Sequence, residues 1–325
     1  MQNRFKYLLP NQIANNRHKT ALIMVGFFVI VLAFGIFIGS IAGSASVDPD
    51  ATVTRYCFWT LLIAAVYVWV MMDQSINVGM AMNHGVRITN PNQAPILWNA
   101  VSNMAVAAGL PMPQVFIIMD PSPNAFSIGT NPRNSAIGAT SGLLKMMDRY
   151  EIEGVIGHEM SHIRDHDTQT ETVGVALTAL FAFIGGLLWR ICLTASWFNG
   201  FGDYDYYDDD DDDDDNSGAI LIVIGLLIAA VAWLCSGLSY LTQMALSRNR
   251  EYLADAGSVD LTRNPRELSR AFKTLEDRPS MRAANPASSC LYIVNPQRSK
   301  HHWSIANLFD THPPLDQRIH RLEMM

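Results

Sequence analysis

The chain has 325 residues, room for one or two domains, and is 49% apolar but only 16% charged. Soluble proteins average about 25% charged residues, so composition points to a membrane before any segment is read. The net charge of −7 resides in one stretch: ten aspartates lie between Asp203 and Asp215, and without them the balance is +3, which argues for neither an acidic protein nor a nucleic-acid partner.

Residues 1–20 carry Arg4, Lys6, Arg17 and Lys19 and no acid. The run from Ala21 to Gly43 is uncharged and 23 residues long, enough to span a bilayer core and longer than the ~7–15 apolar residues of a cleaved signal. A polar loop is expected over Ser44 to Arg55. Tyr56 to Met72 reads as a second span with Trp59, Tyr67 and Trp69 as interface aromatics, short enough that a few flanking residues are expected to join it. Asp73 to Thr170 reads as soluble. Within it a helix is expected over Asn92 to Ala108, stopped by Gly109. Strands are expected over Val115 to Met119, Asn124 to Ile128 and Ala136 to Ala139, with a turn at Gly129 to Asn134. Pro121 and Pro123 suit the strand that follows them to a sheet edge. Val173 to Leu188 and Ala219 to Ala245 read as a transmembrane hairpin around eight consecutive aspartates, 208–215, which are expected to form a solvated loop.

Lysine and arginine set the orientation. With the basic N-terminus inside, two spans return Asp73 to Thr170 to the cytosol, and the aspartate loop falls outside. Residues 247–325, opening with Arg248 and Arg250, come back inside. Cys57, Cys192, Cys235 and Cys290 show no C-x-x-C spacing, which argues against a disulfide framework and a cysteine metal site.

The chemistry concentrates in Asp148 to Asp167, DRYEIEGVIGHEMSHIRDHD. His158-Glu159-Met160-Ser161-His162 is an H-E-x-x-H pattern. On a helix its two imidazoles lie one turn apart on one face, and Glu159 flanks whatever they bind. Asp148 with Glu151 forms a capping-box start, and Ile152, Val155, Ile156, Met160 and Ile163 form an apolar stripe. Gly154 and Gly157, poor helix formers, suggest close packing against a neighbour. His166 falls on the ligand face but roughly 12 Å beyond His158, too far to share an ion. A helix continuing unbroken into Val173 would set that ion roughly 16 Å from the bilayer.

A third ligand is available in SRNREYLADAG, 247–257. Glu251 and Asp255 share a helix face. A carboxylate with two imidazoles and one water completes a tetrahedral catalytic zinc site, and Asp255 suits the free N–H of a ligand imidazole. A solvated helix with Glu251–Arg248 or Arg250–Asp255 pairing is the alternative.

These two stretches closely resemble the HtpX-type membrane zinc metalloproteases, relatives of the CAAX prenyl endopeptidases. The resemblance extends to Gly109-Leu110-Pro111-Met112-Pro113, to Pro123-Asn124-Ala125-Phe126 and to the run from Thr311 to Ile319. It covers most of residues 75–325 and the four-span layout. It implies an α+β membrane protein, mainly helical, with about four transmembrane helices and a zincin-like catalytic domain carrying a small β-sheet. The expected organisation is a cytosolic segment 1–20, two spans in 21–72, a first catalytic segment in 73–170, the hairpin in 171–246 and a second catalytic segment in 247–325. It implies one Zn2+ per chain held by His158, His162 and Glu251, with Glu159 as catalytic base. His312 is the implied helper for the oxyanion, with Arg318 a weaker candidate; the alternative is that Thr311 caps a helix begun at Pro313 and His312 is incidental. Asn124, Ala125 and Phe126 would form an edge strand that pairs with an extended substrate. The implied activity is endoproteolysis of membrane or membrane-proximal proteins at the cytosolic face of a bacterial inner membrane, in quality control under stress. The long acidic run departs from the loop expected of such proteins. A prenyl-protein processing peptidase and an inactive zinc-binding scaffold are the alternatives, and the sequence leaves the oligomeric state open.

Overall fold

The structure is a computed structural model and describes residues 2–44, 46–177, 250–276, 281, 291–294 and 312–325, with single helical positions at 180, 186, 190 and 225. Most of the expected hairpin, the acidic loop, His301, His302, Thr311, Arg248 and three of the four cysteines lie outside the described residues. The chain divides into one unit of residues 1–176 with 243–325 and a second of 177–242. The first unit holds a small sheet and the helices that pack on it.

Two long helices open this unit: α1, Gln2–Ser44, and α2, Pro49–Met82. Both contain stretches long and apolar enough to cross a membrane, from Thr20 to Ser44 and within α2. Their apolar side chains face outward: Leu22, Val25, Val29, Trp59, Ile63 and Trp69 are all exposed, as a lipid solvent requires and water does not. The helices meet through glycines of α1 spaced four apart. A Cβ at Gly39 would stand 2.8 Å from Val53 Cα, and one at Gly35 would strike Thr60, the close approach that small residues permit between membrane helices. The polar loop expected over Ser44 to Arg55 is shorter than read. Asp48 caps α2 by accepting from Ala51 N at 3.1 Å, and Pro49 opens the helix where it lacks no hydrogen bond. The polar residues from Asp50 to Arg55 are therefore helical.

The second helix does not stop at Met72. It runs on to Met82 and lies under the sheet, so that Ile76 and Met80 pack with Phe116, Ile118, Phe126 and Ile128. That sheet holds β1 (Gly85–Ile88), β2 (Gln114–Ile118), β3 (Ala125–Asn131) and β4 (Asn134–Thr140) in the order β1-β2-β4-β3. The β2–β4 pair is parallel and the other two pairs are antiparallel. The period-two alternation puts Phe126 and Ile128 toward α2, while Ala125, Ile137 and Ala139 face the opposite core. The strand after the two prolines, β3, is an edge strand of this sheet, as its prolines suggested. The short β1, half exposed with only one buried residue, carries too little apolar pattern to be read from sequence.

The other face of the sheet carries α3 (Pro95–Ala108), α4 (Ser141–Met146) and α5 (Arg149–Arg164). Gly109 ends α3 in the left-handed region, φ 67°, which costs glycine nothing. The capping box of α5 is present: Asp148 Oδ1 accepts from Tyr150 N and Glu151 N at 2.9 Å, and Asp148 N donates back to Glu151 Oε2 at 2.9 Å. All five stripe residues of α5 are fully buried. Helical residues 167–177 (α6) and 250–262 (α7) follow, then α8 (Pro265–Glu276) and α9 (Leu315–Glu323). The glycines of α5 are what let α7 and α8 approach. A Cβ at Gly154 would lie 3.1 Å from Leu268 N, one at Gly157 2.9 Å from Ser258 Oγ, and Ser258 Oγ donates to Gly154 O at 2.7 Å.

Candidate active site

The buried face of α5 presents His158 and His162 one turn apart, with Nε2 atoms 3.2 Å from each other. From α7, Glu251 brings Oε2 to 3.6 Å from His158 Nε2 and Oε1 to 3.5 Å from His162 Nε2. One donor atom from each of the three residues lies within 4.8 Å of the others, and all three residues are buried. Each imidazole is held from behind by a carboxylate: His158 Nδ1 is 3.1 Å from Asp255 Oδ1, and His162 Nδ1 is 3.1 Å from Asp167 Oδ2. Each of those carboxylates meets an arginine. Arg318 donates to Asp255 through Nη2 at 2.6 Å and Nε at 2.9 Å, and Arg250 Nη1 donates to Asp167 at 3.3 Å. Arg318 Nη1 also pairs with Glu251 Oε2 at 3.0 Å. The catalytic candidate Glu159 accepts a hydrogen bond from Ser127 Oγ of β3 at 2.7 Å.

These contacts test whether a divalent cation fits. With both Nδ1–H groups donating to carboxylates, the two Nε2 atoms turn lone pairs toward one another at 3.2 Å and toward the Glu251 carboxylate. A cation between them would take up those lone pairs. The titration tendencies are those of a site crowded with carboxylates. Burial lowers His158. For His162 burial also acts downward, but Asp167 and Glu251 outweigh it and lift the imidazole well above its usual range. Glu251 would be raised by burial, yet His312, Arg318 and the two imidazoles hold it well below the carboxylate range. Its Oε2 is buried without a hydrogen bond, although Arg318 stands beside it. Two imidazoles, one carboxylate and no thiolate are the donor chemistry of a catalytic metal centre. Burial pushes Glu159 up to about 7, against the opposing pull of His162 and Ser127.

Arg318, His312 and Arg250 also lie at or beside the site. Arg318 is fully buried, and its fork is taken by Asp255 and Glu251, so it is not free to receive an oxyanion. His312 Nε2 stands 3.7 Å from Glu251 Oε1, beside the donor cluster. Burial, then Arg318, lower its imidazole to about 4 against the pull of Glu251. The helix beyond His312 starts at Leu315 with Pro314 as its uncapped N-cap, not at Pro313. Arg250 pairs with Asp167 and Glu171, not with Asp255. The α5 helix does not run on into residue 173. It ends at Arg164, and His166 turns the backbone at φ 62° before α6 begins. The straight-helix estimate of roughly 16 Å to the bilayer therefore does not apply.

The largest departure concerns Asn124, Ala125 and Phe126, which are at most 3% exposed. The outer edge of β3, anticipated as open to a peptide, is occupied by the chain itself. Ile293 N donates to Ala125 O at 3.0 Å, Phe126 bridges antiparallel to Tyr292, and Thr172 Oγ1 covers Gly129. Leu291, Tyr292 and Ile293 are buried, and Tyr292 donates to Asn83 at 3.0 Å. Exposing three such side chains would cost about 1.5–3 kcal/mol each.

Helical spacing missed Asp167. The backbone reversal at His166 carries it behind His162 where a continuous helix would not. An acid one turn past the second histidine, just before an apolar run, is the only signal of it. For Ser127 the signal is alternation alone, which sets it on the face of Ala125.

Residues 91–325 match Peptidase family M48. The chain belongs to that family. It is 42% identical over 321 residues to a "Protease HtpX homolog" of Leuconostoc citreum, covering 98% of this chain and 100% of the relative. A relative of the same description from Listeria innocua is 43% identical over 319 residues, with the same coverage. Among solved structures the chain is similar to the crystal structure of S. mikatae Ste24p, at TM-score 0.45 and 17% identity, covering 96% of this chain and 67% of that one. The protein is a membrane metallopeptidase that hydrolyses peptide bonds of protein or peptide substrates.

Proposed function

We propose that the protein is a zinc endopeptidase of the bacterial inner membrane whose active site faces the cytosol and cleaves membrane or membrane-proximal proteins in quality control. His158, His162 and Glu251 hold one zinc ion per chain, with Asp255 and Asp167 orienting the two imidazoles. The observation that carries this reading is the convergence of those three donor residues, with lone pairs facing one another in a buried pocket. Bound zinc supplies a water of pKa near ~7 and a Lewis acid for the scissile carbonyl.

The chain's own groups do the rest. Glu159, one oxygen tied to Ser127, accepts the proton of the attacking water and returns it to the departing amine. Its position near neutrality suits both transfers. His312, adjacent to Glu251, donates to the oxyanion of the tetrahedral intermediate. The basic N-terminus, α1, α2 and the apolar segments 173–188 and 219–245 support four spans with both catalytic segments on the cytosolic side.

Glu159→Gln is expected to keep its zinc and lose roughly 10²–10⁴-fold in casein cleavage. A Gln variant that cuts at the wild-type rate overturns the assignment of the base. The membrane-proximal preference is tested by one substrate in soluble and membrane-anchored forms. Equal cleavage of both argues against it.

A further inference from the structure

A cavity of about 530 Å3 opens where α1, α2, the β3–β4 turn and the α5–α6 turn meet, a volume within the range of small-molecule sites. Its walls differ. Ala21 and Met24 of α1 and Met72 of α2 form an apolar side. Thr20, Thr130, Asn131, His166 and Gln169 form a side of hydroxyls, amides and an imidazole. The chain sets its depth in the membrane. Thr20 begins the apolar stretch of α1 that runs to Ser44, and Met72 ends the apolar run of α2, with the exposed Asp73 next. The cavity therefore lies at a bilayer surface, with Met24 one turn deeper than Thr20. The walls are also fastened to one another. Thr20 Oγ1 and Thr170 Oγ1, both buried, are 2.8 Å apart, and Tyr67 Oη donates to Ala176 O at 2.8 Å, so α6 holds both spans beside the cavity.

The polar side offers donors. Asn131 Oδ1 is taken by Arg133 N and Asn134 N at 2.9 and 3.0 Å, which leaves its NH2 group, whose contact with Thr130 Oγ1 is a long 3.4 Å. The half-buried Gln169 side chain makes no hydrogen bond among the described residues. Such a wall suits a ligand rich in acceptor oxygens. The surrounding charge is mainly positive. Arg133, on the same turn as Asn131, is exposed, and residues 1–20 of α1 carry Arg4, Lys6, Arg17 and Lys19 and no acid. Asp73 is the acid beside Met72, and its Oδ2 accepts from Gln74 Nε2 at 2.5 Å.

We propose that this cavity binds one phospholipid with an anionic head group. An acyl chain lies along Met24 and Met72, the phosphoglycerol oxygens accept from Asn131 and Gln169, and Arg133 supplies the charge. A soluble phosphate would leave the apolar side unfilled. The lipid also reaches the catalytic unit, because His166 and Gln169 bracket the turn that sets Asp167 behind His162. Bound there, it braces a carboxylate that orients an imidazole. The bracing rests on the reading of His162 as a metal ligand; the lipid site itself does not.

The test uses the full chain, purified in detergent, stripped of lipid and titrated with phosphatidylglycerol, phosphatidylcholine or glycerol phosphate, with bound lipid counted by native mass spectrometry. Wild type is expected to hold one phosphatidylglycerol about fivefold more tightly than phosphatidylcholine, the worth of one arginine near a membrane surface. Glycerol phosphate, which lacks the acyl chains, is expected not to compete. Ala21→Trp crowds the apolar side and should weaken binding about tenfold. Val29→Trp, on an exposed position of α1 eight residues on, should leave it unchanged. Arg133→Ala, on an exposed turn, should erase the preference between the two lipids. In wild type, phosphatidylglycerol should slow zinc release to a chelator about threefold, a fraction of what losing an orienting carboxylate costs. Equal binding by the two tryptophan variants would show lipid held only as a belt around the spans and overturn the site. Competition by glycerol phosphate, displacement by casein, or equal affinity of wild type for both lipids would overturn it too. Zinc release indifferent to the lipid would overturn the bracing. A wild-type chain without zinc would sink the ligand reading and leave the lipid site standing.

Discussion

Arg318→Met removes a guanidinium that touches two buried carboxylates of the site. Arg318 is fully buried, 2.6 and 2.9 Å from Asp255 and 3.0 Å from Glu251, with its planar head 4.2 Å from the centre of the Phe272 ring. Methionine keeps the apolar stem and its packing but leaves Asp255 charged, with His158 as its remaining partner among the described residues. Breaking a buried pair from one side costs about 3–5 kcal/mol. At about 1.4 kcal/mol per decade, that is roughly a hundred- to a few-thousand-fold in the affected equilibrium. Lysine restores the charge but not the fork, so Arg318→Lys should recover only part of it. In thermal unfolding of the detergent-purified chain the methionine variant should melt about 6–20 °C lower, taking about 2–4 °C per kcal/mol for a chain of this order of size. Zinc retention should fall in parallel, because the carboxylate that orients His158 has lost its anchor. A methionine variant that melts within about 2 °C of wild type and keeps its zinc would refute the claim that Arg318 supports the site.

Three further outcomes follow from the same geometry. Asp167→Asn and Asp255→Asn should each weaken zinc binding about 10–100-fold in chelator competition, and unchanged affinity in both would remove these carboxylates from the account. A zinc chelator should stop casein cleavage and lower the melting temperature, and returned zinc should restore both. Saturation at about 1,000 times Kd is worth roughly 4 kcal/mol, and a melting curve indifferent to the chelator would argue that the ion does not bind the folded state. Gly154→Val should cost about 1–3 kcal/mol by overpacking against Leu268, whose backbone N stands 3.1 Å from the new Cβ. A variant melting with wild type would show that α5 and α8 can separate cheaply.

What the sequence disclosed was local. The capping box, the buried stripe of α5 and the shared face of His158 and His162 all follow from one helix and its 3.6-residue period. The carboxylate pair at Glu251 and Asp255 was legible for the same reason, and α7 turns both toward α5. What failed to show was set by reversals of the chain. Asp167 reaches His162 because the backbone turns at His166, a non-glycine in the left-handed region, which no periodicity announces. The occupied edge of β3 depends on residues 291–294, more than 160 positions from their partners, and edge character in a sequence says only that a strand can be paired, not by what. The full length of α2 did not show because Ser75, Asn77 and the other polar residues after Met72 break the apolar run of the span, yet they continue the same helix under the sheet.

The site's charges argue for its cation independently of any motif. Each imidazole leans on a carboxylate and each carboxylate on a guanidinium: His158–Asp255–Arg318 and His162–Asp167–Arg250. The two arginines pair with Asp255 and Asp167, Arg318 also with Glu251 at 3.0 Å and Arg250 also with Glu171 at 3.3 Å. Glu251 and Glu159 are the further buried carboxylates beside the two imidazoles. Burying so many carboxylates around two arginines is costly, and burial pushes Glu159 up to about 7. A divalent ion held by Glu251 and the imidazoles, as proposed, would offset this negative charge and favour the ionised form of Glu159. On that proposal the two arginines support the site from behind its ligands: without them Asp255 and Asp167 would be further unpaired anions beside it.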